Sequence, residues 1–541
     1  MDTLGFDTPL NRGFFMKNWM KNELGTTGIA ILSGLLLTGA FPKVDLHGLA
    51  WVALVPLLWT LKDVNAGEAF RRGMLFGIAH YGSLLYWLVP TMVIYGHLPS
   101  LLSVGILLLF AAILSLLFTA PFLAAFALAG RTPARVLGFF PVFWAGSEFL
   151  RSFLFTGFPW ELLGYSQYRQ LHLIQLSDIV GVYGASALIA FANAAIFVGG
   201  LALSRQPWQR RPVNRGLALG GVAAAALLVA GAWIYGEIRI AQVDRMAAAA
   251  PKARVAVVQG NIEQSQKWDP AFQAAAIEKY VRLSLSTRPQ HPDLIVWPES
   301  AAPFYFLAEA APTRMVMQGI TATGAYFLIG APSYELQGKE ADYFNSAYLV
   351  SPGGAVRGKY DKAHLVPYGE YTPFKDYLPF LGKIVEHVGD FKPGAPGKTL
   401  EMQGRKLGIQ ICYEIIFPAL SRVMVQNGAA LLITITNDAW YGTTAGPYQH
   451  FSLAVLRAVE NRRALVRAAN TGISGFVDPV GRLLDRTPLM EEAAVVRELP
   501  LLDTEAVYTR FGDIFAWACL MASAAIVAWE LLRRKRSGFK F

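Results

Sequence analysis

Three residues have complementary chemistry, and two of them stand where strand-like runs end. Pro292-Asp293-Leu294-Ile295-Val296-Trp297-Pro298-Glu299 puts a carboxylate directly after an apolar run, and Gly408-Ile409-Gln410-Ile411-Cys412-Tyr413-Glu414 puts a thiol at the end of another. Lys362 lies in a loop rich in polar groups, running from Lys359 to Tyr371. Open α/β sheets gather their sites at strand ends. A thiol attacks a carbonyl only as the thiolate. Ordinary Glu and Cys differ by about 4 pKa units, so moving the thiol proton to a carboxylate is uphill by roughly 6 kcal/mol. Burial raises a carboxyl pKa and a nearby ammonium lowers a thiol pKa, so Lys362 helps to close that gap. The same ammonium can stabilise the oxyanion of a tetrahedral intermediate. The set suits acyl transfer through a thioester. His364, in the same loop, is an alternative base of the kind used by Cys–His enzymes, though no sequence pattern pairs it with Cys412. Taken singly, each residue has an ordinary explanation: a core cysteine, a turn-capping glutamate, a solvated loop lysine. The joint occurrence is what points to chemistry.

The elements that must carry these groups lie between residues 251 and 502, where short β-rich runs alternate with turns and helical stretches. Strands are predicted at 254–259, 294–297, 326–329, 343–350, 406–412 and 431–436. Ser351-Pro352-Gly353-Gly354 and Asp478-Pro479-Val480-Gly481 are turn signals, the second closing a hairpin after 475–477. Helices are predicted at 270–287, 418–427 and 449–468. Several strands are apolar on both faces, which predicts sheets buried on both sides and an α/β class. About 250 residues are ample for a core of this kind.

The first half of the chain reads differently. Of the 86 Asp, Glu, Lys and Arg residues, only 28 lie in 1–250, and none occurs from Gly73 to Gly130. As one helix that stretch would reach about 87 Å at ~1.5 Å per residue, against a bilayer core of ~30 Å, so it must fold back. Apolar runs at 24–42, 46–61, 70–94, 100–129, 178–204, 216–236 and 512–532 are each expected to be helices, because backbone amides cannot stay unpaired in lipid. An eighth, 134–155, contains Glu148 and Arg151, which share a helix face and could pair. With eight spans, alternate short segments hold 17 Lys and Arg on one side and three on the other. The basic side is cytoplasmic by the positive-inside rule, so both termini are expected there and the 252–503 domain outside. The first run lacks a convincing cleavage site and reads as an uncleaved span. The net charge of +10 sits in short loops and in the last nine residues, not on a soluble basic face, so nucleic acid is not an expected partner. Two cysteines, Cys412 and Cys519, are too few for a disulfide framework, and Cys412 reads as a free thiol. No His/Cys/carboxylate cluster has metal-ligand spacing, and neither a metal nor a cofactor is expected. A transporter would place ionisable residues mid-span, and 73–130 offers none.

Five motifs, in order, resemble the nitrilase superfamily and most closely its membrane-embedded branch, the apolipoprotein N-acyltransferases. They are Gln259-Gly260-Asn261-Ile262-Glu263-Gln264-Ser265-Gln266-Lys267-Trp268; Trp297-Pro298-Glu299; Lys362 with His364 through Tyr371; Ile411-Cys412-Tyr413-Glu414; and Asn437-Asp438-Ala439-Trp440-Tyr441-Gly442 continuing to His450. Tyr368, where the family often has Phe, and Ala363, where some members have His, are departures that do not touch the reacting groups. The resemblance implies a polytopic α-helical membrane protein carrying an α/β nitrilase-like domain, an α-β-β-α sandwich. It implies a membrane domain at 1–251, a catalytic domain at 252–503 on the periplasmic side of a bacterial inner membrane, and an eighth helix with a basic cytoplasmic tail at 504–541. By motif, Glu299 is the general base, Lys362 the oxyanion and thiolate stabiliser, and Cys412 the nucleophile. Glu370 and Glu414 match supporting carboxylates, and Trp268, Tyr413 and Trp440 match aromatics near the lipid pocket. The implied partners are a phospholipid acyl donor, a diacylglyceryl apolipoprotein acceptor and the bilayer itself. The alternative is a membrane-anchored amidase or nitrilase, using the same residues with water as the acceptor. Loops 302–307 and 377–385 mix aromatic and apolar residues and are expected to dip toward the lipid interface and gate lipid entry.

Overall fold

The structure, a computed structural model, describes residues 23–265, 267–338, 340–372 and 390–536. The N-terminal half is helical: α1 (Glu23–Thr38), α2 (Leu54–Thr60), α3 (Ala66–Leu84), α4 (Leu88–Ile94), α5 (Ser100–Leu114), α6 (Ala120–Ala129), α7 (Pro133–Arg151), α8 (Ser177–Leu203) and α9 (Arg215–Ala249). Among the described residues four helices are long and apolar enough to cross a membrane: Ser100–Ala129, Ser177–Leu203, Arg215–Ala249 and the C-terminal Ile514–Arg536. The first of these joins α5 to α6 through a π-helical turn at Ser115–Thr119. Pro121 has no N–H to return to the preceding turn, and the wider turn absorbs that loss. A fifth span is available if α3 and α4, bent by 54° at their junction, act together. Among the described residues α1 covers 16 positions, and 46–61 divides into a 3-10 turn at His47–Trp51 followed by α2. Outward-facing residues such as Leu101, Leu219, Leu227, Met521 and Trp529 are exposed, as lipid-facing side chains are.

The weaker run at 134–155 is helical as α7, capped by the Thr132 hydroxyl, but its Glu148 and Arg151 do not pair directly. Glu148 accepts from the indole of Trp144 (3.0 Å) and the backbone N–H of Leu163 (2.7 Å), while Arg151 donates to the Trp160 carbonyl (3.0 Å). Both line an enclosed cavity with His80, Glu161 and a wall of aromatic rings.

The remainder is two six-stranded sheets. Strands β1 (Lys252–Gln259), β2 (Leu294–Val296), β3 (Tyr326–Gln337), β4 (Glu340–Val350), β5 (Val356–Asp361) and β12 (Ala493–Pro500) form one, in the order β12-β1-β2-β3-β4-β5. Strands β6 (Thr399–Met402), β7 (Arg405–Ile411), β8 (Ala429–Thr436), β9 (Ala464–Ala469), β10 (Gly475–Val477) and β11 (Leu483–Arg486) form the other, in the order β11-β10-β9-β8-β7-β6. Each has three parallel strands at its centre, β1-β2-β3 and β7-β8-β9, with antiparallel strands outside. The period of two sorts the layers. Val255 and Val257 share the core between the sheets with Ile409 and Ile433, while Ala256 and Val258 face an outer core with Ile277 and Ile320. That outer layer is α10 (Pro270–Ser286) and α11 (Ala310–Thr323); the opposite one is α12 (Pro418–Gln426) and α13 (Gly446–Asn461). The predicted α-β-β-α sandwich is therefore the fold.

The two helical layers differ in what covers them. Residues of α10 and α11 alternate between buried and exposed, whereas α13 is buried along nearly its whole length because the helical half packs on it. Gln449 bridges the halves: its oxygen accepts from the indoles of Trp87 (3.0 Å) and Trp160 (2.8 Å), and its amide donates to the carbonyls of Pro42 (3.0 Å) and Leu84 (3.2 Å). The predicted helix at 449–468 ends early. Arg462 takes a left-handed conformation after Asn461, and Ala464–Ala469 is the central strand β9. The last membrane-length helix, α14 (Ile514–Arg536), packs against α7.

Candidate active site

The turn after β2, the loop after β5 and the turn after β7 bring Glu299, Lys362 and Cys412 together. Glu299 follows Trp297-Pro298 in a turn laid directly on β3, and a Cβ at Gly330 would collide with the Pro298 carbonyl. Only glycine lets the two backbones approach there. Cys412 has φ 54°, a left-handed backbone between strand β7 and a short 3-10 helix, Cys412–Ile416. Such strain in a non-glycine residue is characteristic of functional turns. Cys412, Glu299 and Lys362 are all buried.

Lys362 Nζ is 2.9 Å from Glu370 Oε1 and 3.7 Å from Glu299 Oε1, so one ammonium is shared by two carboxylates. Asn345 on β4 holds all three residues. Its side-chain amide nitrogen donates to Glu299 (2.7 Å) and Glu370 (2.9 Å), and its backbone carbonyl accepts the backbone N–H of Lys362 (2.8 Å). The second oxygen of Glu299 accepts from the backbone N–H of Asn437 (2.9 Å), and that of Glu370 from the N–H of Val366 (2.8 Å). Lys267, buried, donates to the backbone carbonyl of Glu299 (3.0 Å).

Burial pushes the Cys412 thiol far above its ordinary range and the Glu299 charge adds to this, with Lys362 pulling the other way. At rest Cys412 is therefore a protonated thiol, which would need a base to act as a nucleophile. Burial opposes the Lys362 charge, but Glu370, Glu299 and Cys412 outweigh it and hold the ammonium firmly protonated. His364 is not arranged as the base. Its ring lies against Phe417 (3.9 Å between centroids) and Tyr413 (5.9 Å), and burial and then Lys362 lower its pKa to about 4.

Glu414 is a clamp beneath Cys412. Its carboxylate accepts from the N–H of Ile411 (2.7 Å), Ala363 (2.6 Å) and His364 (3.0 Å), and from the Tyr360 hydroxyl (2.9 Å). One side chain thus ties the Cys412 turn to the Lys362 loop. Behind Cys412, His450 Nε2 donates to its carbonyl (3.2 Å); Asp438 lies 2.9 Å from His450 Nδ1 and 2.7 Å from Arg467.

Tyr413 and Trp440 fall on the side facing the helical half. Tyr413 donates to the Gly157 carbonyl (3.5 Å), and the Trp440 ring meets Tyr95 edge-on at 4.9 Å. Trp268 is half-buried in the turn that carries Lys267. The 302–307 loop is mostly packed. Phe304 and Phe306 are buried in the outer core, the latter against Tyr348 at 5.2 Å, and Leu307 is the exposed apolar residue of the loop. Loop 377–385 lies outside the described residues. Asn345 and Arg467 stand in no sequence motif, and Lys267 and His450 stand in motifs without an assigned role. An asparagine in a buried strand and an arginine in an apolar one were the available signals. Both cysteines are free thiols.

Residues 33–195 match the family described as Apolipoprotein N-acyltransferase N-terminal domain, and residues 254–509 match Carbon-nitrogen hydrolase. The apolipoprotein N-acyltransferase of Geobacter metallireducens is 44% identical over 513 residues, covering 94% of this chain and 95% of that protein. Its counterpart from Methylococcus capsulatus is 34% identical over 515 residues, covering 94% and 96%. The crystal structure of Saccharomyces cerevisiae Nit3, a member of branch 10 of the nitrilase superfamily, aligns at 20% identity with a TM-score of 0.36, covering 46% of this chain and 90% of that one. With full-length identity at this level and matches in both halves, the chain is a membrane protein that belongs to the apolipoprotein N-acyltransferase family.

Proposed function

We propose that the protein transfers an acyl chain from a membrane phospholipid to the α-amino group of an N-terminal diacylglyceryl-cysteine, through a thioester on Cys412. The carrying observation is the convergence of a buried thiol, a carboxylate and a shared ammonium on a sandwich whose second helical layer is covered by apolar helices. Family membership supports the same reaction. In the first step Glu299 takes the Cys412 proton, sulfur bonds to the ester carbonyl carbon, and the displaced π pair rests on oxygen facing Lys362. The oxyanion collapses, the C–O bond breaks, and the lysophospholipid alkoxide recovers the proton from Glu299. In the second step the acceptor amine gives a proton to Glu299 and attacks the thioester. The C–S bond breaks and Glu299 returns the proton to the Cys412 thiolate. Glu370 and Asn345 hold Lys362 and Glu299 in register, and Glu414 holds the nucleophile turn.

This reading takes 1–251 as the membrane domain, 252–503 as the catalytic domain on the periplasmic face of the inner membrane, and 504–541 as the last span with its basic tail. The 17-to-three asymmetry of Lys and Arg in alternate segments supports that orientation. Tyr413 and Trp440, which touch the helical half, are assigned to the lipid pocket, and Trp268 joins them by its motif. The test is mass spectrometry of the purified protein after exposure to phospholipid: a hydroxylamine-labile acyl group on Cys412, absent in Cys412→Ser, is expected. Adding a diacylated lipopeptide is expected to give triacylated product; free fatty acid alone would identify a hydrolase.

A further inference from the structure

Four charged groups crowd around Cys412 on its reacting side. Lys362 and Glu370 are paired at 2.9 Å, and Glu299 lies 3.7 Å from Lys362. If these were all, the set would carry one positive and two negative charges. Moving the Cys412 proton to Glu299 conserves that sum, so the site would stay net negative through every step, with its nucleophile buried. An uncompensated buried charge is costly. Lys267 supplies the missing cation: it is 3% exposed, and its ammonium donates to the backbone carbonyl of Glu299 at 3.0 Å. The ions behind Cys412 do not serve this purpose, because Asp438 is engaged by Arg467 and His450.

Resting on the thioester reading above, we infer that Lys267 is a positioning residue for that reaction: it fixes the Glu299 turn and keeps the reaction centre neutral when Cys412 loses its proton. With Lys267 charged, two cations balance Glu299 and Glu370 at rest. They balance Glu370 and the thiolate, or the oxyanion, once Glu299 is protonated. The groups that face Lys267 are Glu299 from the β2 turn and Cys412 from the β7 turn, with Lys362 and Glu370 reached through Glu299. Burial lowers its pKa to about 8 against the pull of Glu299 and Cys412. The ammonium is therefore present at neutral pH and lost as pH rises through that value.

The experiment follows acylation of Cys412 by intact-protein mass spectrometry in phospholipid nanodiscs, across pH, for the full-length wild type, Lys267→Arg and Lys267→Met. Wild-type acylation is expected to fall above about pH 8. Lys267→Arg is expected to remain within roughly fivefold at neutral pH and to lose that fall, because arginine does not titrate in this range. Lys267→Met is expected to be roughly a hundredfold slower at neutral pH. A wild-type rate that stays level well above pH 8, or a folded Lys267→Met with wild-type rate, overturns the inference. If Lys267→Met does not fold, the wild-type and Lys267→Arg profiles decide. Wild-type protein that never acylates Cys412 overturns the thioester reading instead. The pH dependence of Cys412 alkylation by iodoacetamide then tests Lys267 alone: roughly tenfold slower alkylation without its charge supports the inference, and no change overturns it.

Discussion

Two buried ionic clusters flank Cys412, built from similar ingredients and doing opposite work. Behind it, Asp438 is held by Arg467 (2.7 Å) and His450 (2.9 Å), all of them fully buried. Burial alone would raise Asp438, but Arg467 and His450 hold it well below the usual carboxylate range, so no proton moves there. In front, the Lys362 ammonium is divided between Glu370 and Glu299, and the Cys412 thiol is pushed up rather than ionised. The rear cluster pairs each charge with close partners and becomes a brace for the Cys412 carbonyl. The forward cluster leaves one carboxylate, Glu299, at the longer distance of 3.7 Å from its cation. Whether buried charge is structural or reactive is decided by how completely it is paired.

That contrast can be broken from either side. The largest effect is expected at the front: Glu299→Gln removes the proton acceptor and should slow acylation of Cys412 roughly a thousandfold. The buried Lys362 and Lys267 would then share one counter-ion, so the melting midpoint should fall as well; intact-protein mass spectrometry with a melting curve checks both. At the back, Asp438→Asn leaves Arg467 buried without its counter-ion and should cost about 3–5 kcal/mol of stability. Activity should then fail through unfolding, visible as a lowered midpoint in thermal or denaturant melts. An Asp438→Asn protein that melts like wild type yet cannot be acylated would place the rear cluster in the chemistry and erase the distinction.

Glu414 lies between the two cases. Burial raises its pKa to about 7, against the hydrogen bonds from Ile411 and His364 and the charge of Lys362. The folded protein therefore holds a proton that the unfolded chain releases at about 4.3, and stability should fall as pH rises from there toward 7. Glu414→Gln should flatten that slope in melting curves taken across pH, and slow acylation roughly tenfold by loosening the 363–364 anchor. The smallest effect is expected at His364. Its ring packs on Phe417, so His364→Phe should leave the acylation rate within about threefold. A loss as large as that of Glu299→Gln would make His364 the base.

The apolar central strands were legible because each is a short β-branched run closed by a turn, and all six runs first singled out are strands. The edge strands were not. Val356–Asp361 and Leu483–Arg486 mix charged and apolar residues without strong alternation, and they are strands because a neighbour pairs with them. The segment 464–469 read as a helix continuation, since Ala-Leu-Val-Arg-Ala-Ala suits either state. Pairing with β8 and β10 made it a central strand. Residues 302–307 read as a lipid-facing loop from composition alone, yet Phe304 and Phe306 found a core to enter.

The sequence by itself determined the candidate thiol, carboxylate and ammonium, the apolar half and the turns that end the strands, because these follow from side-chain chemistry and the length of local runs. The tertiary structure decided which charges share a partner. Asn345 joins Glu299 to Glu370, Lys267 reaches the Glu299 carbonyl, and Gln449 ties α13 to the helical half. Each depends on groups brought together from distant positions in the chain, and burial and pairing, which set the energy of a charge, exist only once those segments have met.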